Sequence, residues 1–396
     1  MPRKILHLDL DAFFCAVEEL RDASLRGKPF AVGGRPETRG VVSSCSYAAR
    51  SFGVRSALPM SRALRLCPGL IVISQHWSNY GEMSDKVMER LRSLAPLVEQ
   101  VSIDEAFVDI SDMCRPASGA AATPETIARN LQSEIRTDLG LPCSIGIASN
   151  KLVAKIATEV GKKSGKQGEP PNAITLVPAG EEAAFLDPLP ADMLWGVGPK
   201  TAARLAELGI HTIGGIARWP ADNLFHRFGE NGRELSRRAR GLDDRPVVTE
   251  HAVKSISQEV TFARDISDDR ALEGTLRDLA AQVGRRLRRA DLAGATVKIK
   301  IRWPDFTTLT RQVTLTQPTD QDEEIAVTAF DLLAKVRPKG KAVRLIGVGV
   351  TGLGAPVRQL ELWGEDAEKA RRLQATLDAL HERFGDKAIR RGKPHK

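Results

Sequence analysis

Three carboxylates have the type and spacing to hold metal and move phosphate: Asp9, Asp104 and Glu105. Asp9 lies near the end of an alternating stretch, KILHLDL at 4–10, and Asp104–Glu105 sit in SIDE between two apolar stretches. Carboxylates gathered at a sheet edge suit Mg²⁺, which takes oxygen ligands and leaves part of its shell to phosphate. Two such ions about 3.5–4 Å apart can clamp the attacking and leaving oxygens of a phosphoryl transfer. Taken singly, each acid also fits a strand end or turn facing water, because acidic side chains are mostly exposed.

The elements that would position these acids follow from periodicity. Residues 4–10 alternate, so Leu6, Leu8 and Leu10 share one strand face and Ile5, His7 and Asp9 the other. Residues 11–22, DAFFCAVEELRD, read as a helix with Asp11 as its N-cap. Residues 28–34 and 40–46 read as strands, and 47–66 as helical pieces broken by Gly53 and Pro59. Residues 78–95 have an amphipathic helical pattern, and 98–111 read as two short strands around a turn at Asp104–Glu105. A helix follows Thr123 and ends at Gly140. PCSIGIAS is a strand, and NKLVAKIATEVGKKSGKQG is a helix entering a basic loop. This mix predicts an α+β core with a mainly antiparallel sheet. Residues 181–240 read as helical and 241–253 as an extended linker. Residues 254–352 run β-α-β-β-α-β, as in ferredoxin-like units. Residues 356–396 form a charged tail with one helix at 365–384.

The chain of 396 residues predicts two to four domains at ~100–200 residues each. With 42% hydrophobic and 27% charged residues, it is no disordered chain, collagen or small disulfide scaffold. Five cysteines, odd in number and without a CxxC pair, argue against a zinc site and for a reducing, cytoplasmic setting. No run approaches the ~18 apolar residues of a membrane span. Asp9 and Asp11 interrupt the N-terminal apolar run, so it does not read as a signal peptide.

The net charge of +8 lies wholly in residues 231–396, while 1–230 balance. That asymmetry suggests a neutral body joined to a polyanion-binding part; a basic solvated surface and tail is the alternative. Lys298, Lys300 and Arg302 alternate along ATVKIKIRW and so share one strand face, while Val297, Ile299 and Ile301 share the other. Arg285, Arg286, Arg288 and Arg289 crowd the preceding helix. GVGPKTAARLAELGI resembles a helix–hairpin–helix, in which Gly196 and Gly198 let the turn approach a phosphate and Pro199 opens the next helix.

Several segments together resemble the Y-family of DNA polymerases, and their order and spacing its bacterial DinB branch. They are DLDAFFCAVE (9–18), RGVVSSCSYAARSFGVRSALPM (39–60), SIDEAFVDIS (102–111), SIGIASNKLVAKIATEVGKKSG (144–165), LWGVGPKTAARLAELGI (194–210) and KSISQEVTF (254–262). The resemblance covers about residues 1–355. It implies a right-hand polymerase with an antiparallel-sheet palm (1–11 and 77–168), small fingers (12–76) and a helical thumb with the helix–hairpin–helix (169–238). A linker (239–253), a little finger (254–355) and a tail (356–396) follow.

By the same resemblance, Asp9, Asp104 and the Leu10 carbonyl would bind two Mg²⁺ ions. Glu105 would complete the site as a ligand or a proton-handling group near the primer 3′-oxygen. Phe14 would sense the sugar, and Ser44, Tyr47, Arg50 and Lys162 would grip the triphosphate of a dNTP. Gly196, Gly198, Lys298, Lys300 and Arg302 would follow primer-template DNA. The expected activity is low-fidelity translesion synthesis by a monomer without proofreading. Ser46, Lys163, Ser164 and Cys15 depart from the commonest family pattern. QLELW, with Gln359, Leu360, Leu362 and Trp363, resembles the peptide by which polymerases dock on the sliding clamp, although 33 residues follow it here. Two other readings share parts of this pattern: a catalytically idle DNA- and clamp-binding factor, and a nucleotide cyclase with a palm-like sheet. The complete acid set speaks against the first. The basic C-terminal part and the helix–hairpin–helix speak against the second, because a cyclase needs no duplex grip.

Overall fold

The computed structural model of the chain describes residues 2–115, 122–166, 168–356 and 365–385. It divides into two compact units, 1–251 and 252–396. The first opens with β1 (Ile5–Leu10), α1 (Phe13–Arg21), β2 (Phe30–Gly33), β3 (Val42–Cys45), α2 (Tyr47–Ser51), α3 (Met60–Leu66) and β4 (Ile71–Ile73). It continues with α4 (Trp77–Leu94), β5 (Val98–Gln100), β6 (Glu105–Asp109), α5 (Pro124–Leu139), β7 (Cys143–Ala148), α6 (Lys151–Lys163) and β8 (Ile174–Leu176). Short helices complete it: α7 (Glu182–Leu186), α8 (Pro199–Glu207), α9 (Ile213–Arg218), α10 (Ala221–Phe228) and α11 (Glu230–Ala239).

β1 is the central strand of a five-stranded sheet, ordered β5-β6-β1-β7-β8. Its pairings with β6 and β7 are antiparallel; only β7–β8 is parallel. The alternation of residues 4–10 is realised on two buried faces. Leu6, Leu8 and Leu10 join Val87, Met88 and Leu91 of α4 and Leu131 and Ile135 of α5 in one core. Ile5 and Phe107 join Leu152, Val153 and Ile156 of α6 in a second, which continues into the helices of 181–240. α6 approaches so closely because β7 carries Gly146. A Cβ there would lie 2.0 Å from the Ala154 carbonyl oxygen and 2.5 Å from the Thr158 nitrogen. A smaller sheet, β3-β2-β4, has its own core of Ala31, Val42, Met60 and Ala63.

The expected extended linker has no regular structure, yet residues 241–248 are docked rather than free. The Asn150 side-chain amide donates to the Gly241 carbonyl at 2.9 Å. Asp243 accepts from the Leu152 N–H at the start of α6 (3.1 Å), and Glu99 from the Val248 N–H (2.8 Å). Arg3 donates to the Asp243 and Arg245 carbonyls, each at 3.0 Å.

The second unit runs β9 (Ser255–Ile266), α12 (Asp269–Arg289), β10 (Ala293–Arg302), β11 (Thr308–Thr319), α13 (Asp322–Val336), β12 (Val343–Gly354) and α14 (Glu365–Phe384). The element order is the one periodicity predicts, and the antiparallel sheet is ordered β11-β10-β12-β9. Val297, Ile299 and Ile301 face the core formed with Leu276, Val283 and Leu287 of α12 and Ala329 and Leu333 of α13. The α12 arginines therefore lie behind the sheet, away from the face of Lys298, Lys300 and Arg302. Arg288 is moreover held by Asp378 of α14 at 2.6 Å and Asp322 at 2.9 Å. The QLELW segment at 359–363 lies outside the described residues. Among the described residues, no helix is long and apolar enough to cross a membrane, and all five cysteines are free thiols.

Candidate active site

The site forms where β1 ends. Antiparallel register places Asp9 opposite Glu105 on β6 and opposite Ser144 on β7. The Leu10 N–H donates to the Asp104 carbonyl at 3.0 Å, which ties the SIDE turn to the end of β1. The chain then turns through Ala12, whose φ of 49° is left-handed, and enters α1. A non-glycine residue pays for such a conformation unless its surroundings enforce it. Here the turn projects Phe14 into the cavity that Asp9 and Asp104 border.

That cavity is lined by Asp9, Leu10, Phe14, Ser44, Arg50, Asp104 and Lys162, together with Ala12, Phe13, Ser43 and Ser56. Seven residues proposed from the sequence thus meet there from four separate segments. Tyr47 lines a neighbouring cavity instead, with Asp11, Cys15 and Lys28. It remains linked to the first through Arg50, whose guanidinium lies 4.3 Å from the Tyr47 ring centroid. Their spacing of three residues on α2 produces that contact.

Electrostatics separates the acids. The Lys162 ammonium lies 2.6 Å from Asp9 and 3.8 Å from Asp11. Burial pushes the Asp9 carboxyl up to about 6, against the pull of Lys162, with nearby Asp104 adding to the rise. Burial also works to lower Lys162, but Asp9 and Asp11 outweigh it and hold its ammonium above the ordinary lysine range. Asp9 is thus a buried carboxylate whose charge one ammonium leaves under-compensated.

Glu105 is the contrary case. Burial works to raise it, but the His7 hydrogen bond and the Lys155 ammonium hold it down to about 2. Its carboxylate is turned to His7, at 2.7 Å, and to Lys155, and does not line the cavity. Burial lowers His7, against the pull of Glu105. The neutral ring donates from Nε2 to Glu105 and accepts at Nδ1 from the Thr158 hydroxyl at 2.8 Å.

His7, Lys155 and Thr158 were missed in the sequence. A signal was present: His7 shares the strand face of Asp9, and Lys155, Thr158 and Lys162 form an i, i+3, i+7 stripe on α6. The reading of Asp11 as an N-cap is corrected. Its carboxylate makes no cap bond to α1 and accepts instead from the Ser144 hydroxyl (3.0 Å) and the Asn172 N–H (3.1 Å). The left-handed Ala12 turns the helix start away from it, so Asp11 braces β1 against β7.

No cluster of three or more His, Cys, Asp or Glu side chains converges on one point among the described residues. The donors that border the cavity are nevertheless all oxygen: two carboxylates and, at Leu10, a backbone position. Such a set fits a hard divalent cation, and the under-compensated Asp9 calls for more positive charge than Lys162 supplies.

The remaining sequence candidates lie elsewhere. Gly196 has φ of +102°, and a Cβ there would meet the Arg238 guanidinium at 2.7 Å, so the turn requires glycine. Gly198 caps α8, with Pro199 in its first turn. In the second unit, Lys298, Lys300 and Arg302 share the sheet face turned from the core. Lys300 pairs with Glu259 at 2.7 Å, and Arg302 donates to Thr308 at 2.9 Å.

With this geometry in place, comparison with known proteins gives consistent matches. The impB/mucB/samB family model matches residues 8–159, and that family's C-terminal domain model matches 253–362. DNA polymerase IV of Desulfatibacillum aliphaticivorans is 41% identical over 389 residues, which is 97% of this chain and 95% of that protein. DNA polymerase IV of Streptomyces coelicolor is 44% identical over 367 residues, 92% of this chain and 73% of that protein. A solved Y-family DNA polymerase chimera matches with a TM-score of 0.78 and 25% identity, over 89% of this chain and 99% of the chimera. The matches reach both compact units and cover nearly the whole chain, so the chain belongs to the impB/mucB/samB family, the Y-family of DNA polymerases.

Proposed function

We infer that this chain is a DNA-directed DNA polymerase that extends a primer 3′ end with dNTPs in low-fidelity translesion synthesis. Beyond family membership, one observation supports it most: the cavity unites two acids, an aromatic ring and two cations drawn from four segments of the chain. A nucleotide needs these groups together: anionic metal ligands, a wall for the sugar and cations for the triphosphate.

Asp9, Asp104 and the Leu10 carbonyl would hold Mg²⁺, two ions in the full site. Bound there, the metal supplies positive charge for the phosphates and acidifies the primer 3′-hydroxyl. Lys162 would exchange its Asp9 partner for a triphosphate oxygen once cations satisfy that carboxylate. Arg50 and Ser44 would donate to the same phosphates, and Tyr47 would brace Arg50 through its ring. Phe14 would close the space beneath C2′, where a ribonucleotide carries a hydroxyl. Glu105, ionised and held by His7 and Lys155, would have to turn from those partners to meet the primer end.

Residues 1–11 and 77–168 would act as palm, 12–76 as fingers, 169–238 as thumb and 254–355 as little finger. Duplex phosphates would meet the Gly196–Gly198 turn, Lys298, Lys300 and Arg302. The chain would act as a cytoplasmic monomer, and its QLELW segment would dock on a sliding clamp.

Primer extension on undamaged and lesion-bearing templates tests this reading, with Asp104→Asn alongside. Template-directed extension that Asp104→Asn abolishes is expected. A protein that binds primer-template but never extends it would be the idle factor. Pyrophosphate release without primer would mark a cyclase. Loss of clamp capture in Leu362→Ala/Trp363→Ala tests the docking segment separately.

A further inference from the structure

The face of α1 that carries Phe14 also carries a carboxylate without a part in phosphate chemistry. Glu18 lies one turn after Phe14 and is 3% exposed. It accepts from the Tyr80 hydroxyl at 2.5 Å, from Arg21 at 2.8 Å and from His76 at 2.8 Å. Burial works to raise its pKa, but the Tyr80 and His76 hydrogen bonds hold it below the usual carboxylate range. Tyr80 is itself fully buried, and its ring stacks on Phe14 with centroids 4.4 Å apart and planes 21° apart. Trp77 meets Phe14 edge-on at 5.6 Å, and Phe13 lies at 5.7 Å. Phe14 is thus backed by three aromatic rings while it lines the cavity.

We propose that Glu18 is a positioning residue for sugar selection, acting through the Tyr80 ring on Phe14. The inference rests on the reading of Phe14 as the sugar-sensing ring. A wall that discriminates by contact must not yield, since repulsion falls away within about an ångström of relaxation. Ring contacts with Phe14, Phe13 and Trp77 confine Tyr80 but leave it some freedom to shift in its own plane, because aromatic contact is broad in its geometry. The hydroxyl–carboxylate bond removes that freedom, being short and charge-assisted. An apolar residue at position 18 would fill the space without setting the ring, which gives a buried carboxylate a use here beyond packing.

The test is single-nucleotide insertion by the full chain, with kcat/KM measured for a dNTP and its rNTP. Glu18→Ala and Tyr80→Phe are each expected to lower the dNTP/rNTP ratio about tenfold, or about 1.4 kcal/mol. Tyr80→Phe keeps the ring and guards against misfolding of Glu18→Ala. Because both act on one bond, the double variant should lose about tenfold rather than a hundredfold. Phe14→Ala is measured alongside. If it admits ribonucleotides while both other variants keep the wild-type ratio, the Glu18 proposal is overturned and the Phe14 reading stands. Multiplicative losses in the double variant overturn it as well, because Glu18 would then act by another route. If Phe14→Ala itself still rejects ribonucleotides, the Phe14 reading fails and the Glu18 proposal with it.

Discussion

Replacing Lys151 by Met isolates one buried ion pair and the linker segment it supports. Lys151 opens α6, the end of a helix where a cation is least welcome. It is tolerated because its ammonium donates to both Glu99 oxygens, at 3.0 and 2.8 Å, with side-chain exposures of 5% and 9%. Glu99 also accepts from the Val248 N–H, so the pair lies between α6 and the docked linker. Lys151→Met fills the space but strands a buried carboxylate, and breaking such a pair costs about 3–5 kcal/mol. At about 2–4 °C per kcal/mol for a unit of this size, the 1–251 transition should fall by roughly 6–20 °C at pH 7.

The pH dependence follows from the direction of the shift. Burial works to raise Glu99, but Lys151 and the Val248 N–H hold its carboxyl below the ordinary value of 4.5. In the wild type, its stabilisation is present above that value and is lost as pH falls through the lower folded pKa. Without the ammonium, burial is opposed by the Val248 N–H and by the exposed His251 at 3.5 Å, and it is expected to outweigh them. The folded pKa then lies above the unfolded one, and stability is lost as pH rises through it. The two proteins should therefore differ most at neutral pH and converge toward pH 4. Adding Glu99→Gln should restore much of the loss, since no charge is left buried. The assays are calorimetry at both pH values and hydrogen exchange at α6 and residues 241–251. A deficit under about 1 kcal/mol, or one equal at pH 7 and pH 4, would refute the reasoning.

Lys162→Ala should raise the nucleotide KM by roughly 10–100-fold, as expected for losing a charge-assisted bond of about 1.5–3 kcal/mol; an unchanged KM in insertion kinetics would remove Lys162 from the triphosphate. Lys298→Ala/Lys300→Ala should weaken duplex binding and flatten its salt slope by about two, at about 0.9 per phosphate contact. Lys298 should contribute the larger part because Lys300 already pairs with Glu259; an unchanged salt titration would count against both. Gly146→Ala drives a methyl into the Ala154 and Thr158 backbone, so α6 must lift from β7. A loss of about 3 kcal/mol or more is expected, and a melting temperature equal to wild type would show that α6 can shift freely.

Much of the fold was legible because its causes are local. Strand alternation put Asp9 and the three leucines on opposite faces of β1. Thr123 caps α5 by accepting from the Thr126 N–H at 3.2 Å, and Gly140 ends that helix at φ 68°. The chemistry at the end of β1 was legible in its residue types, because phosphate transfer draws on few kinds of side chain. The Y-family resemblance then assigned a role to each position, which periodicity alone does not do.

Only the tertiary structure decided which polar group meets which. Asp11 looks like an N-cap from its neighbours, yet packing gives it to Ser144 and Asn172. Glu105 is adjacent to Asp104 in the chain but is turned to His7 and Lys155, because α6 covers its face of the sheet. The arginines of α12 look like one basic patch, yet Arg288 is consumed by Asp322 and Asp378. Residues 241–248 look like a tether, yet Glu99, Asn150 and Asp243 pin them to the first unit. Periodicity follows from the geometry of one chain segment. A buried polar partner is chosen by whatever lies across a tertiary contact, and that partner can be a hundred residues away.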